Sequence, residues 1–200
     1  VLAEALPPVP ESYRDSEYIF LANTHPAGQL ELRKQFPNAK LVVADTMDLW
    51  IETAQDELKA LLKNIDGLVL NDSEAFQLTG KTNIVRAADT ILEMGPKFVV
   101  IKKGEHGAFL MHKDGLGALP AYAARDVVDP TGAGDCFAGG MMGYLASVDD
   151  LSIEHIRKSL VYGTIVASYN IESFSLDRLK QIKKATLDER VEEYRKLLTF

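Results

Sequence analysis

Four short apolar runs, with helix-forming stretches between and after them, constrain this chain more than any other feature. Tyr18–Ala22, Leu41–Ala44, Gly67–Leu70 and Phe98–Ile101 read as strands, with Asn23, Asp45 and Asn71 closing the first three. Gln29–Phe36 reads as a short helix, and Ile51–Leu62 carries Ile51, Ala54, Leu58, Leu61 and Leu62 at helical spacing with charges between them. Ser73–Leu78 and Val85–Met94 read as helices stopped by Gly80 and Gly95. Strands that alternate with helices argue for a parallel sheet, because parallel neighbours need a long crossover and that crossover packs on the sheet as a helix. The expected class is α/β: a three-layer, doubly wound, mainly parallel sheet with helices on both faces. Ligands in such sheets bind at the carboxyl ends of the strands. The pattern then switches. Ala108–His112 and Ala118–Ala123 flank Lys113-Asp114-Gly115 and read as a hairpin. Helices are expected again over Gly134–Ser147, Ile153–Ile171, Leu176–Ile182 and Leu187–Leu198.

Two hundred residues, 46% of them hydrophobic, suffice for one globular domain over 1–200, entered through an irregular Pro-rich segment at 1–15. A net charge of −7 argues against a nucleic-acid surface and against an anionic membrane partner. The single cysteine, Cys136, excludes an internal disulfide framework and fits a reducing cytoplasmic location; inside a helix, a small thiol reads as packing. No apolar run approaches the roughly 20 residues of a membrane-spanning helix. The chain opens on Val1 without the basic start of a signal peptide and runs into Leu6-Pro7-Pro8-Val9-Pro10, which reads as the interior of a longer protein. His25, His106, His112 and His155 show no metal-ligand spacing and read as surface or packing residues.

The chemistry concentrates in Asp129-Pro130-Thr131-Gly132-Ala133-Gly134-Asp135-Cys136-Phe137-Ala138-Gly139-Gly140. Three small residues end in a carboxylate just where a helical stretch begins. The first N–H groups of a helix have no internal partner and carry the positive end of its dipole. Gly132, Ala133 and Gly134 have almost no side chain to keep an anion from those groups, so they form a candidate anion hole. Asp135 then sits where a phosphoryl group would meet an incoming hydroxyl, and a carboxylate there can take the hydroxyl proton. A plain helix start, with an acid in the first turn for dipole reasons alone, is the competing explanation.

The run matches, position by position, the second signature of the ribokinase-like (PfkB) carbohydrate kinases, and the chain resembles the later two thirds of that family's fold. The resemblance implies that ATP donates its γ-phosphoryl to a hydroxymethyl group of a sugar or nucleoside, with Asp135 as base and Mg²⁺ as cofactor. Asn71-Asp72-Ser73-Glu74 resembles the family's Asn-x-x-Glu motif, which implies that Asn71 and Glu74 lie near the nucleotide phosphates, Glu74 reaching Mg²⁺ through water; a helix cap is the alternative. Val99–Ala108 resembles the strand-turn-strand on the nucleotide side, placing Lys102, Gly104 and Gly107 there. Lys102 stands where many relatives have Thr, so a charge contact to phosphate is expected in place of a hydroxyl contact. Gly163 falls where the family presents a helix face to adenine, although tight helix packing explains a glycine there equally well. Asp129 and Thr131 match positions that hold a monovalent cation, usually K⁺. The resemblance implies that the family's N-terminal, substrate-selecting part and its lid are missing from these residues, so sugar, nucleoside and vitamin acceptors all stand. It also leaves room for a homodimer formed through that lid.

Two other classes compete. Ala75-Phe76-Gln77-Leu78-Thr79-Gly80-Lys81-Thr82 fits a relaxed Walker A pattern, which would make the protein a P-loop NTPase using Lys81. Phe76, Gln77 and Leu78 are too bulky for a loop whose N–H groups must converge on phosphate, and they read as a helix end. A non-catalytic nucleotide-binding module is the second competitor; a broken Asp135 motif would mark it, and although the motif is intact, the family's front part, missing from these residues, keeps this class open.

Overall fold

The computed structural model describes residues 7–198; the first six residues of the expected Pro-rich entry lie outside the described residues. Two compact units form. The first runs up to Lys103 and includes Phe109–Ala118; the second comprises Gly104–Ala108 and the residues from Leu119 onward.

The first unit holds all but two end residues of a six-stranded sheet: Tyr18–Leu21 (β1), Leu41–Asp45 (β2), Gly67–Asn71 (β3), Phe98–Lys102 (β4), Ala108–His112 (β5) and Gly115–Leu119 (β6), ordered β1-β2-β3-β4-β5-β6. β1 to β4 pair in parallel, with Leu21 opposite Ala44, Asp45 opposite Val69 and Asn71 opposite Lys102. The connections around β5 are far too short for a parallel crossover, so the sheet finishes antiparallel. Pro26–Lys34 (α1), Asp48–Thr53 (α2), Gln55–Leu62 (α3), Asp72–Thr79 (α4) and Ile84–Glu93 (α5) fill the crossovers. Sequential parallel neighbours joined by right-handed crossovers place those helices on one face. The core shows this: Ile19, Leu21, Val42, Ala44, Leu68, Leu70, Val99 and Ile101 cluster with Leu58, Leu61, Ala87 and Ile91. The opposite residues Val43, Val69 and Val100 are fully buried too, which is why the strands read as continuous apolar runs instead of alternating ones.

The second unit is built on Ala133–Val148 (α6), Ile153–Asn170 (α7) and Lys184–Leu197 (α8). Among the described residues, no helix is long and apolar enough to cross a membrane.

Four expectations change. The helix expected over Ile51–Leu62 is two helices, because Ala54 leaves helical geometry at φ −137° and ψ 42°. Both halves bury the same face, so the apolar spacing runs through the break unaltered. The second hairpin strand is Gly115–Leu119 and not Ala118–Ala123. A two-residue turn, held by Asp114 N–H donating to His112 Nδ1 at 3.0 Å, starts it early, and Pro120 has no N–H with which to extend it. Leu176–Ile182 is no α-helix. It is loop with a 3-10 turn at Leu179–Gln181, whose Leu179 and Ile182 are drawn into the Tyr169–Tyr194 cluster. α8 begins at Lys184, before Leu187; Lys184, Ala185 and Thr186 at its start include no large apolar side chain to mark a helical stripe.

Tyr194 anchors α8. It is buried, its hydroxyl donates to the Pro120 carbonyl, and burial pushes its phenol up to about 12. An unfolded tyrosine ionises near pH 10, about where stability should begin to fall, because the unfolded chain releases its proton first. The contribution is fully present below about pH 10 and is lost as pH rises through about 12. Tyr194→Phe should flatten that decline in thermal melts recorded from pH 8 upward. An identical slope in the variant would assign the alkaline loss to other groups.

Candidate active site

In the second unit, α6 starts from Gly132, whose φ of +80° is a left-handed conformation that glycine adopts at little cost. Ala133 N–H donates to Pro130 O at 3.1 Å and Cys136 N–H to Gly132 O at 2.9 Å. The N–H groups of Gly134 and Asp135 have no partner among the described residues. They stand at the positive end of a 16-residue helix, beside the exposed Asp135 carboxylate. Just upstream, Asp129 Oδ1 accepts the Thr131 N–H at 3.0 Å. The Thr131 N–H and hydroxyl, with a smaller contribution from the Ser175 N–H, hold the Asp129 carboxyl below the usual carboxylate range. Asn170, at the end of α7, faces this turn. Its amide donates to Ser175 O at 3.1 Å, while its buried Oδ1 is unpartnered and lies 3.9 Å from where a Cβ on Gly132 would be. An acid, a hydroxyl-bearing residue and an orphan amide oxygen thus surround the turn that opens the helix. Such hard oxygen donors suit a cation.

In the first unit, the carboxyl ends of β2, β3 and β4 gather a second set. Asn71 Oδ1 accepts the Glu74 N–H at 2.8 Å and Glu74 Oε2 accepts the Asn71 N–H at 2.7 Å, a complete capping box for α4. Asn71 and Glu74 therefore do serve as a helix cap. Burial, only partly offset by that N–H, raises the Glu74 carboxyl, with nearby Asp45 adding to the rise and Lys102 opposing it. Lys102 Nζ lies 3.5 Å from Asp45 Oδ2, both side chains being largely buried. Sequence reasoning placed Lys102 toward phosphate and missed Asp45, treating it only as a strand end. The usable signal was an acid closing a fully buried apolar strand, where its charge must find a partner. Gln29 was missed too: buried in α1, its amide reaches the carbonyls of Leu21, Ala22 and Asp45 and ties the ends of β1 and β2 together.

The three remaining glycines divide. Gly104, at φ +54°, faces open space. Gly107, at φ +89°, leaves no room for a side chain: a Cβ there would run into the Leu119 carbonyl oxygen and fall 2.6 Å from Pro120 C. Gly163 packs on α6: a Cβ there would lie 2.8 Å from Phe137 O, and one on Gly140 would lie 2.7 Å from Tyr162 O. Tight helix crossing accounts for Gly163.

The Walker-like stretch falls on the end of α4, where Phe76–Leu78 are helical and Gly80 (φ +67°) terminates the helix. A phosphate-cradling loop precedes its helix; here the helix precedes the glycine. Lys81→Ala is accordingly expected to leave ATP binding and turnover within about threefold of the parent, a surface substitution in effect. Loss of ATP binding in a direct titration of this variant would restore the P-loop reading.

Comparison with known proteins bears on the family and the fold. Residues 13–181 match the family model described as pfkB family carbohydrate kinase. The chain is 32% identical over 140 residues to the cytidine kinase of Thermococcus kodakarensis, covering 68% of this chain and 50% of that protein. It is 35% identical over 124 residues to a bifunctional ribokinase/ribose-5-phosphate isomerase A of Fructilactobacillus sanfranciscensis, covering 60% of this chain and 22% of that protein. It therefore spans half the length, or less, of these curated relatives. The solved structure of aminoimidazole riboside kinase from Salmonella enterica superposes with a TM-score of 0.76 at 18% identity, covering 88% of this chain and 64% of that one. That likeness establishes a ribokinase-like fold, with the mainly parallel sheet expected from the alternating runs.

Proposed function

The chain belongs to the pfkB family of carbohydrate kinases, and from that we propose that it contributes the phosphoryl-transfer half of an ATP-dependent sugar or nucleoside kinase. The acceptor is a hydroxymethyl group, and the observation that carries the reading is the start of α6. There two unpartnered N–H groups, Gly134 and Asp135, adjoin a carboxylate. In this reading the Gly132–Gly134 backbone binds the transferred phosphoryl and stabilises the charge that spreads over its oxygens. Asp135 orients the acceptor hydroxyl and accepts its proton. Asn71, Glu74, Lys102, Gly104 and Gly107 serve the nucleotide side. Glu74, its Oε2 already bonded to the Asn71 N–H, orients water toward the metal. Mg²⁺, when bound with ATP, neutralises phosphate charge as the leaving group departs. The cytidine kinase and ribokinase relatives support both nucleoside and sugar acceptors.

A panel of sugars and nucleosides should be assayed with MgATP, using a protein in which these residues are joined to the rest of the family's length. The expected result is an acceptor-dependent release of ADP with a phosphate monoester on a primary carbon, identified by phosphorus NMR. ATP binding without any acceptor-dependent turnover would favour a non-catalytic nucleotide-binding module instead.

Asp129, Thr131 and the orphan Oδ1 of Asn170 fit a monovalent cation beside the anion hole. Turnover is expected to be higher in K⁺ than in Na⁺ or Li⁺, and Asp129→Ala should remove the difference. Equal rates of the parent in all three salts would dismiss the site.

A further inference from the structure

The loop that backs the Asp129–Gly132 turn is itself held by one arginine. Arg190 on α8 is largely buried; its Nη1 lies 2.7 Å from Glu172 Oε1 and donates to Ser168 Oγ at 3.0 Å. Its guanidinium stacks over Tyr169 at 3.4 Å from the ring centroid and lies 4.9 Å from that of Tyr122. Glu172 uses its second oxygen on Arg178 Nε at 3.3 Å, and Arg178 N–H donates to Ser173 Oγ at 2.9 Å. Both carboxylate oxygens are therefore fixed, and with them the backbone that follows α7.

That backbone has little else to define it. Phe174 is 71% exposed, Ser175 is strained at φ +55°, and the segment contains no regular element before the turn at Leu179. Yet this backbone and the last residue of α7 carry the groups that meet the candidate catalytic turn. Ile171 O accepts from Val128 N–H at 2.8 Å and from Asp129 N–H at 3.3 Å, and Asn170 Oδ1 faces Gly132. A largely buried ion pair is a poor way to gain stability alone, since apolar residues of similar volume do as well or better. What a two-oxygen clamp on Glu172 supplies is position. We propose that Arg190 and Glu172 are positioning residues that hold the 170–175 loop against the Asp129–Gly132 turn and so set the geometry of the anion hole.

Amide hydrogen exchange read by mass spectrometry tests the coupling directly and does not depend on any activity. Arg190→Ala should speed exchange at least tenfold in peptides covering 128–135 as well as 170–175, with the first unit unchanged. Glu172→Gln, which weakens the clamp without opening a cavity, should do the same to a smaller degree and stands in if Arg190→Ala does not fold. Glu192→Ala, which breaks an exposed α8 pair with Arg195, should leave both segments as they were. In the kinase assay, whose interpretation rests on the proposed function, the Arg190 variant should lose 10- to 100-fold in kcat with acceptor KM changed less than threefold. Faster exchange confined to α8 and 170–178, or spread evenly over the second unit, would overturn the positioning role. Coupled exchange in a protein that phosphorylates nothing would leave the clamp standing and sink the kinase reading.

Discussion

Asp135→Asn should lower phosphoryl transfer by roughly 10²–10⁴-fold, the range that removal of a general base produces. The substitution preserves side-chain size, and the α6 N–H groups that would bind phosphate come from the backbone, which it does not touch. ATP affinity should therefore change less than about threefold, and the loss should appear in kcat. Asp135 is exposed at the helix start, so the variant should also fold normally. Steady-state kinetics paired with a direct ATP titration separate these effects. Turnover within tenfold of the parent would remove Asp135 from the proton transfer, leaving positioning and charge stabilisation to carry the reaction.

Gly107→Ala should cost roughly 3 kcal/mol or more, a large share of a typical domain's 5–15 kcal/mol. Two independent penalties meet at this residue. Its φ of +89° is unfavourable for any side chain, at about 1–2 kcal/mol, and the new methyl would press into the Leu119 carbonyl and Pro120 backbone. Backbone atoms cannot swing aside as a side-chain tip can, so the turn itself would have to move. Gly104 provides the comparison: at φ +54° with open space around it, Gly104→Ala should lose only the conformational part, about 1–2 kcal/mol. Urea midpoints for the two variants decide the matter. Equal losses would mean that the β4–β5 connection relaxes freely and that Gly107 is needed for its φ alone.

Sequence and structure agree best where burial is extreme. β2, β3 and β4 were placed to within a residue because both their faces are buried and the apolar runs have abrupt polar ends. The helix start at Gly132 was visible for a different reason: small residues followed by an acid are a local device, complete within one turn. Asn71 and Glu74 were visible for the same reason, as a cap or as a nucleotide motif, and their hydrogen bonds make the cap real without excluding the motif. The misplaced Leu176–Ile182 helix shows the limit, since Leu179 and Ile182 face the Tyr169–Tyr194 cluster from a loop and imitate a helical stripe.

What the amino-acid order determined alone is the set of features closed within a few residues: buried strands, helix caps, the small residues that open α6 and the acid behind them. Those depend on backbone sterics and on hydrogen bonds between near neighbours, which pattern records directly. Only the tertiary structure decided that Lys102 on β4 meets Asp45 on β2 across β3, that Asn170 leaves an oxygen unpartnered beside Gly132, and that Arg190 clamps Glu172. A buried charge or amide must find its complement, but which complement depends on strand register and helix packing. That packing is a property of the whole core, written in no single stretch of the chain.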